Sequence, residues 1–213
     1  MMKRIKLQKK HKNKDSNRWL NRHLNDEYVR KSKVDGYRSR SSYKLIQIND
    51  KFNFLKKSFN IVDLGCAPGG WLQVANKFSP KDSKILGFDL IDLKVIPDIK
   101  FYKIDVNKSE IFEKIDFTFE NKKIDLLLSD MSPNSSGNKN VDHLRIVSII
   151  ERVLEIAEKS LKKNGFLVAK IFQGGAQGDL VLKMKKTLDS IQYFKPKASR
   201  SESPETYLIA RKK

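Results

Sequence analysis

The stretch IVDLGCAPGGWLQVA, Ile61 to Ala75, decides the fold. A short apolar run, Ile61 to Leu64, breaks into a turn holding Gly65, Gly69, Gly70 and Pro68. An amphipathic pattern led by Trp71 then begins at once. Strand, glycine-rich turn and helix in this order predict the first unit of a parallel sheet, with a strand over 60–64 and a helix over 70–78. At such a turn bare backbone comes close to a ligand, and the three glycines permit that approach. A dinucleotide fingerprint would need glycine at position 67, which is Ala67. A Walker loop would need a Lys-Ser/Thr pair after the glycines, and none follows.

Outward from this unit, apolar runs alternate with helical patterns. Strands are predicted over 84–88, 100–104, 124–129 and 165–172, and helices over 108–116, 143–162 and 178–189, with a capped helix earlier in SSYKLIQINDKF, 41–52. Short strands that are apolar on both sides, separated by helices, indicate an α/β fold with a mostly parallel sheet covered on both faces. Two closing strands, 191–195 and 206–211, are joined by a segment too short for a helical crossover. They are therefore expected to form an antiparallel hairpin at the sheet edge.

Two carboxylates follow the glycine turn on successive strand tips. Asp89, ending KILGFDL, lies 20 residues after Gly69, where an acid commonly accepts the hydroxyls of a ligand ribose. Asp105, in FYKIDVN, is placed to accept from an adenine amino group. Turn, Asp89 and Asp105 together describe an adenosine-binding crevice.

The chain has 213 residues, 44 Lys+Arg against 25 Asp+Glu, and a formal charge of +19. That field attracts polyanions, so a nucleic-acid partner is expected. Residues 1–40 hold 14 basic and 4 acidic side chains, over half of the excess charge, and read as a disordered basic RNA-binding arm ahead of a catalytic domain over 41–213. The arm lacks the apolar core of a secretory signal, and no run suits a membrane span. Its acid-free first 14 residues leave a mitochondrial matrix address open beside the cytoplasm. Cys66, the single cysteine, and His11, His23 and His143 show no metal-ligand spacing, so no metal site is expected.

The motifs DLGCAPGGW, GFDL, SDMSPNSSG, AKIFQGG and SRSESPETY, preceded by GYRSRSSYKL, resemble in order those of the FtsJ-type ribose 2′-O-methyltransferases, which act on large-subunit ribosomal RNA. The resemblance runs from about Trp19 to the C-terminus. It implies a Rossmann-like methyltransferase fold with a seven-stranded sheet, antiparallel in its last strand, and S-adenosylmethionine as methyl donor, released as S-adenosylhomocysteine. By the same resemblance Gly65, Gly69 and Trp71 lie at the donor, Asp89 takes its ribose, Asp105 its adenine, and Asp130 lies near the reactive methyl. It also implies a catalytic tetrad of Lys44, Asp130, Lys170 and Glu205.

Methyl transfer from a sulfonium is an in-line displacement in which positioning supplies much of the acceleration. The hydroxyl proton needs a destination, and Lys170 is expected to take or orient it while Lys44 and Glu205 fix the acceptor ribose. Glu202 competes with Glu205 for the acidic role. Glu205 is preferred because it stands two residues before Tyr207, which sends both side chains to one strand face. Arg38, Arg40, Lys195, Lys197 and Arg200 are expected to hold phosphates at the pocket mouth, and Trp19 to stack a base or join the core. The expected substrate is a uridine of large-subunit ribosomal RNA, free or in a pre-ribosomal particle, and the chain is expected to be a monomer. Transfer RNA as acceptor, and a non-catalytic RNA-binding protein on the same fold, are the alternatives.

Overall fold

The structure, a computed structural model, describes residues 14–133, 137, 139–172 and 179–213. Three helices come first: α1 (Lys14–Leu24), α2 (Glu27–Val34) and α3 (Ser42–Phe52). The alternating region follows as β1 (Asn60–Leu64), α4 (Gly70–Phe78), β2 (Lys84–Asp89), β3 (Ile99–Lys103), α5 (Glu110–Phe119) and β4 (Ile124–Ser129). It closes with α6 (Lys139–Ser160), β5 (Leu161–Phe172), α7 (Asp179–Thr187), β6 (Leu188–Phe194) and β7 (Glu205–Lys212).

The strands form one seven-stranded sheet in the order β3-β2-β1-β4-β5-β7-β6. The pairs from β3 to β5 are parallel, and β7 is antiparallel to both β5 and β6. The expected closing hairpin is present, with β7 inserted beside β5 and β6 left at the edge.

Alternation along the strands separates two cores. Val62, Leu64, Leu127, Leu167 and Leu208 pack with α5, α6 and α7, whereas Ile61, Leu126, Leu128, Val168, Tyr207 and Ile209 pack with α3 and α4. Helix α6 buries Ile146, Ile150, Val153 and Ala157 at helical spacing. It starts at Lys139 and ends at Ser160, so Leu161, expected within it, instead opens β5 opposite Ile124. Asn164 at φ +61° and the shifted register after Ile124 carry the chain through that irregular entry.

The N-terminal segment departs from the expected disordered arm, because residues 14–24 and 27–34 are helical. Asp26 caps α2, Val29 is buried, and the ring of Tyr28 lies 5.4 Å from that of Tyr43 on α3. Local capping and this aromatic contact, invisible in a lysine-rich pattern, dock α2 on the domain. Residues 1–13, His11 among them, parts of SDMSPNSSG and AKIFQGG, and the side chains of Trp19 and His143 lie outside the described residues.

Candidate active site

Asp89, Asp105 and Asp130 come together at the carboxyl ends of β2, β3 and β4. With Gly65 and the apolar side chains of Ile91 and Val106 they line a cleft of about 440 Å³. Gly65 has φ +71°, and any Cβ there would overlap Met131. Only glycine suits that conformation and approach. Both oxygens of Asp89 are oriented by backbone donors, Oδ2 by Ala67 N–H at 2.8 Å and Oδ1 by Ile91 N–H at 2.9 Å. Asp105 lies two residues beyond the observed end of β3, not at it, and its Oδ1 accepts from Asn107.

Gly69 and Trp71 stand outside this lining. Gly69, at φ +105°, is the N-cap of α4. Trp71 is 2% exposed, donates its indole N–H to the Ser41 carbonyl at 2.9 Å, and lies 5.7 Å from the Tyr207 ring. Its place is behind the site, as a brace for Tyr207.

The four residues of the expected tetrad form two linked ion pairs. Lys170 Nζ is 2.8 Å from Asp130 Oδ1 and also donates to the Asp130 carbonyl at 2.8 Å. Lys44 Nζ is 2.7 Å from Glu205 Oε1. The two lysines are only 9% and 7% exposed. Strand register explains the convergence: Lys170 is paired with Tyr207, on the sheet face that α3 covers, and Glu205 precedes Tyr207 by one strand repeat. Helix α3 brings Lys44 over the same face, its Nζ 5.8 Å from the Tyr207 ring centroid.

Sequence reasoning used Tyr207 only as a marker for Glu205. Its hydroxyl donates to Asp130 Oδ1 at 2.6 Å, which makes it a fifth member of the cluster. Glu-x-Tyr spacing already placed it on the right face, but its partner was unreadable without the β5–β7 pairing.

The charges are mutually tuned. Burial opposes ionisation of Asp130, but Lys170 and Lys44, with hydrogen bonds from Lys170 and Tyr207, outweigh it and hold the carboxyl below the usual range. Burial likewise opposes ionisation of Glu205, and Lys44, with a smaller contribution from Lys170, overcomes it to the same effect. Burial, reinforced by Asp130 and Glu205, raises the Tyr207 hydroxyl well above its ordinary value, so it stays a donor. Asp63, fully buried on β1, is pushed well above the carboxylate range by burial and by Asp130 and Asp89, and neither oxygen has a hydrogen-bond partner among the described residues.

Lys44 and Glu205 also line a second basin of about 660 Å³, walled by Arg22, Arg40 and Arg200. Asp130 therefore faces one cavity while the other ion pair faces a second, and electrostatic coupling spans the gap. Arg38, expected to hold phosphate, is spent elsewhere: its guanidinium donates to the carbonyls of Pro68, Lys94 and Val95 at 3.3, 2.6 and 2.9 Å. Lys195 is likewise engaged, by the Ser201 and Ser203 carbonyls. Glu202, the rejected acid, is 55% exposed in its side chain and pairs with Arg22 at 3.2 Å. Among the described residues no cluster of His, Cys, Asp and Glu could hold a metal ion.

A family model described as FtsJ-like methyltransferase matches residues 37–213. A protein of Wolbachia sp. subsp. Brugia malayi named ribosomal RNA large subunit methyltransferase E is 46% identical over 194 residues, 91% of this chain and 87% of the relative. One of the same name from Rickettsia felis is 42% identical over 212 residues, 97% and 92% of the two chains. Among solved structures, a Plasmodium falciparum protein with a provisional ribosomal RNA methyltransferase name matches with TM-score 0.73 at 30% identity. It covers 83% of this chain and 98% of that one.

Proposed function

This chain belongs to the FtsJ-like methyltransferase family, and we propose that it methylates a ribose 2′-hydroxyl of large-subunit ribosomal RNA with S-adenosylmethionine as donor. The curated relatives named for that ribosomal RNA span nearly the whole chain, which supports the substrate class. The observation that carries the chemistry is the pair of cavities on either side of the linked ion pairs, one lined by Asp130 and the other by Lys44 and Glu205.

The donor suits the first cavity. Carboxylates for hydroxyl and amino groups, apolar walls for a flat base, and a glycine whose Cβ would close the approach are the chemistry a nucleoside needs. In this assignment Asp89 receives the ribose hydroxyls, Asp105 the adenine amino group, and Gly65 admits the donor past its backbone. Gly69 shapes the turn into α4, and Trp71 acts through Tyr207. When bound, S-adenosylmethionine supplies a sulfonium-activated methyl group.

Asp130 holds Lys170 by two hydrogen-bond acceptors, its side chain and its own carbonyl, so the amine is aimed by its partner. Lys170 orients the 2′-hydroxyl and handles its proton, while Lys44 and Glu205 fix the acceptor ribose. We take the chain as a monomer of the cytoplasm or mitochondrial matrix; separately, among the described residues no helix is long and apolar enough to cross a membrane.

Incubation with labelled donor and either large ribosomal subunits or transfer RNA from methylation-deficient cells tests the proposal. Label is expected at a ribose of the large-subunit RNA, and Lys170→Ala should reduce it by about 100-fold or more, as expected for loss of a proton-handling group. Labelling of transfer RNA alone would overturn the substrate. Activity of the variant within a few-fold of the parent, with donor binding intact, would overturn the role of Lys170.

A further inference from the structure

Arg152 reaches from α6 to the segment that links β3 to α5. One edge of its guanidinium holds backbone: Nε donates to the Val106 carbonyl at 2.7 Å and Nη2 to the Lys108 carbonyl at 2.9 Å. Nη1 faces the Glu155 carboxylate one helical turn on, and the guanidinium carbon lies 5.2 Å from the Phe112 ring of α5. Lys159 donates to the other Glu155 oxygen at 2.8 Å. Lys159 and Arg152 keep the Glu155 carboxyl below its ordinary range, so the acid stays charged beside the fork. Only 12% of the Arg152 side chain is exposed. Asn107, Lys108 and Ser109 are all exposed, so burial does little to hold the segment that Arg152 grips.

A single peptide unit connects Arg152 to the donor cleft. The Val106 carbonyl and the Asn107 N–H belong to the same planar amide. Its oxygen accepts from Arg152, and its N–H donates to Asp105 Oδ1 at 2.9 Å. Hydrogen bonds in such a chain polarise one another, so a charged donor on the carbonyl strengthens the N–H toward the carboxylate. The Asn107 side chain binds the same Oδ1 at 3.0 Å, and the Lys108 N–H closes the turn on the Asp105 carbonyl at 3.0 Å. Both Asn107 bonds fall on Oδ1, which leaves Oδ2 for a ligand. Val106 and Ile149 line the cleft with Asp105, and Ile149 stands one turn before Arg152 on α6. The helix that supplies an apolar wall of the cleft therefore also carries the cation that sets its carboxylate.

We propose that Arg152 is a positioning residue for the base of the methyl donor: through the 106–107 peptide it orients the Asp105 carboxylate toward an adenine amino group, and so selects adenine over a base with a carbonyl oxygen there. Its premise is the donor site assigned to this cleft above. An oxygen in place of the amino group would set two acceptors against each other, and a carboxylate held on Oδ1 cannot turn away. Lysine cannot substitute for the fork, because an ammonium is a point charge without a planar edge of two donors.

Calorimetry on the full chain compares S-adenosylhomocysteine with S-inosylhomocysteine, which carries oxygen in place of the adenine amino group. The parent should prefer the adenosyl ligand by about tenfold or more. Arg152→Leu should weaken adenosyl binding by about five- to tenfold and inosyl binding by less, so that the preference shrinks. A merely structural loss would weaken both alike. In an Asp105→Ala background the same substitution should change adenosyl affinity by less than about twofold, because the carboxylate it sets is gone. In methyl transfer to large ribosomal subunits, Arg152→Leu should raise the donor KM and leave kcat within about twofold. Equal losses for the two ligands, or parental affinities in the folded variant, overturn the role of Arg152 and leave the donor site standing. If Arg152→Leu fails to fold, Arg152→Lys decides by the same ratio. A parent that binds neither ligand overturns the donor site and this role with it.

Discussion

The Tyr207 hydroxyl and Lys170 Nζ share one oxygen, Asp130 Oδ1, at 2.6 and 2.8 Å. Tyr207 is fully buried and cannot move aside, so its hydrogen bond fixes the carboxylate that in turn aims Lys170. Tyr207→Phe removes only that bond. A hydrogen bond to a charged group contributes about 1.5–3 kcal/mol. Methyl transfer at saturating substrates should fall by about 10- to 100-fold. S-adenosylmethionine affinity, read by calorimetry, should change less than about threefold.

The same cluster sets an acid limit on stability. The native pKa values of Asp130 and Glu205 are lowered from their ordinary range by their lysine partners, against the opposing effect of burial. A depressed carboxylate contributes stability that is complete above its unfolded value, about 4, and is lost as pH falls through the native value. Denaturant unfolding of the parent and of Asp130→Asn should therefore differ most at pH 6–7 and converge below about pH 4. A constant difference across that window would show that Asp130 is not ionised in the native protein.

Glu205 and Glu202 separate cleanly by environment. Glu205 pairs with Lys44 where both side chains are nearly enclosed, whereas Glu202 meets Arg22 in solvent. Breaking an enclosed pair leaves an uncompensated charge, and breaking an exposed one matters little. Glu205→Gln should lower kcat/KM for RNA by about tenfold or more. Glu202→Gln should stay within about twofold.

Gly65 is the turn position least tolerant of a side chain. Gly65→Ala combines φ +71° with overlap on Met131. The variant should lose at least about 1 kcal/mol of stability and bind S-adenosylmethionine more weakly. Adding Met131→Ala should recover part of the donor affinity by removing the overlapping Cγ, while the backbone strain persists. Calorimetry and thermal melting on the single and double variants measure both.

Much of this was legible before folding. The strand over 60–64, the helix over 70–78 and the strand over 124–129 fall where apolar period and glycine punctuation placed them, because those signals are local. Asp89 was legible as a strand-tip acid for the same reason, whereas Asp130 was legible only through the resemblance of its motif. The fate of the arginines was not: Arg38 and Arg40 sit two residues apart, yet one straps backbone loops and the other pairs with Asp26. Nothing in residue type distinguishes them. The link of Asp26 to Arg200, on a turn far along the chain, exists only in three dimensions.

The amino-acid sequence by itself determined the alternation of elements, the glycine turn and the residue types available for chemistry, since these depend on neighbours a few positions apart. Tertiary structure alone decided which charges meet. Inserting β7 beside β5 sets Tyr207 against Lys170, and laying α3 on that face brings Lys44 to Glu205. The physical reason is range: strand pairing and burial act between distant segments, and burial is what turns two lysines and two acids among many surface charges into one coupled, partly desolvated cluster.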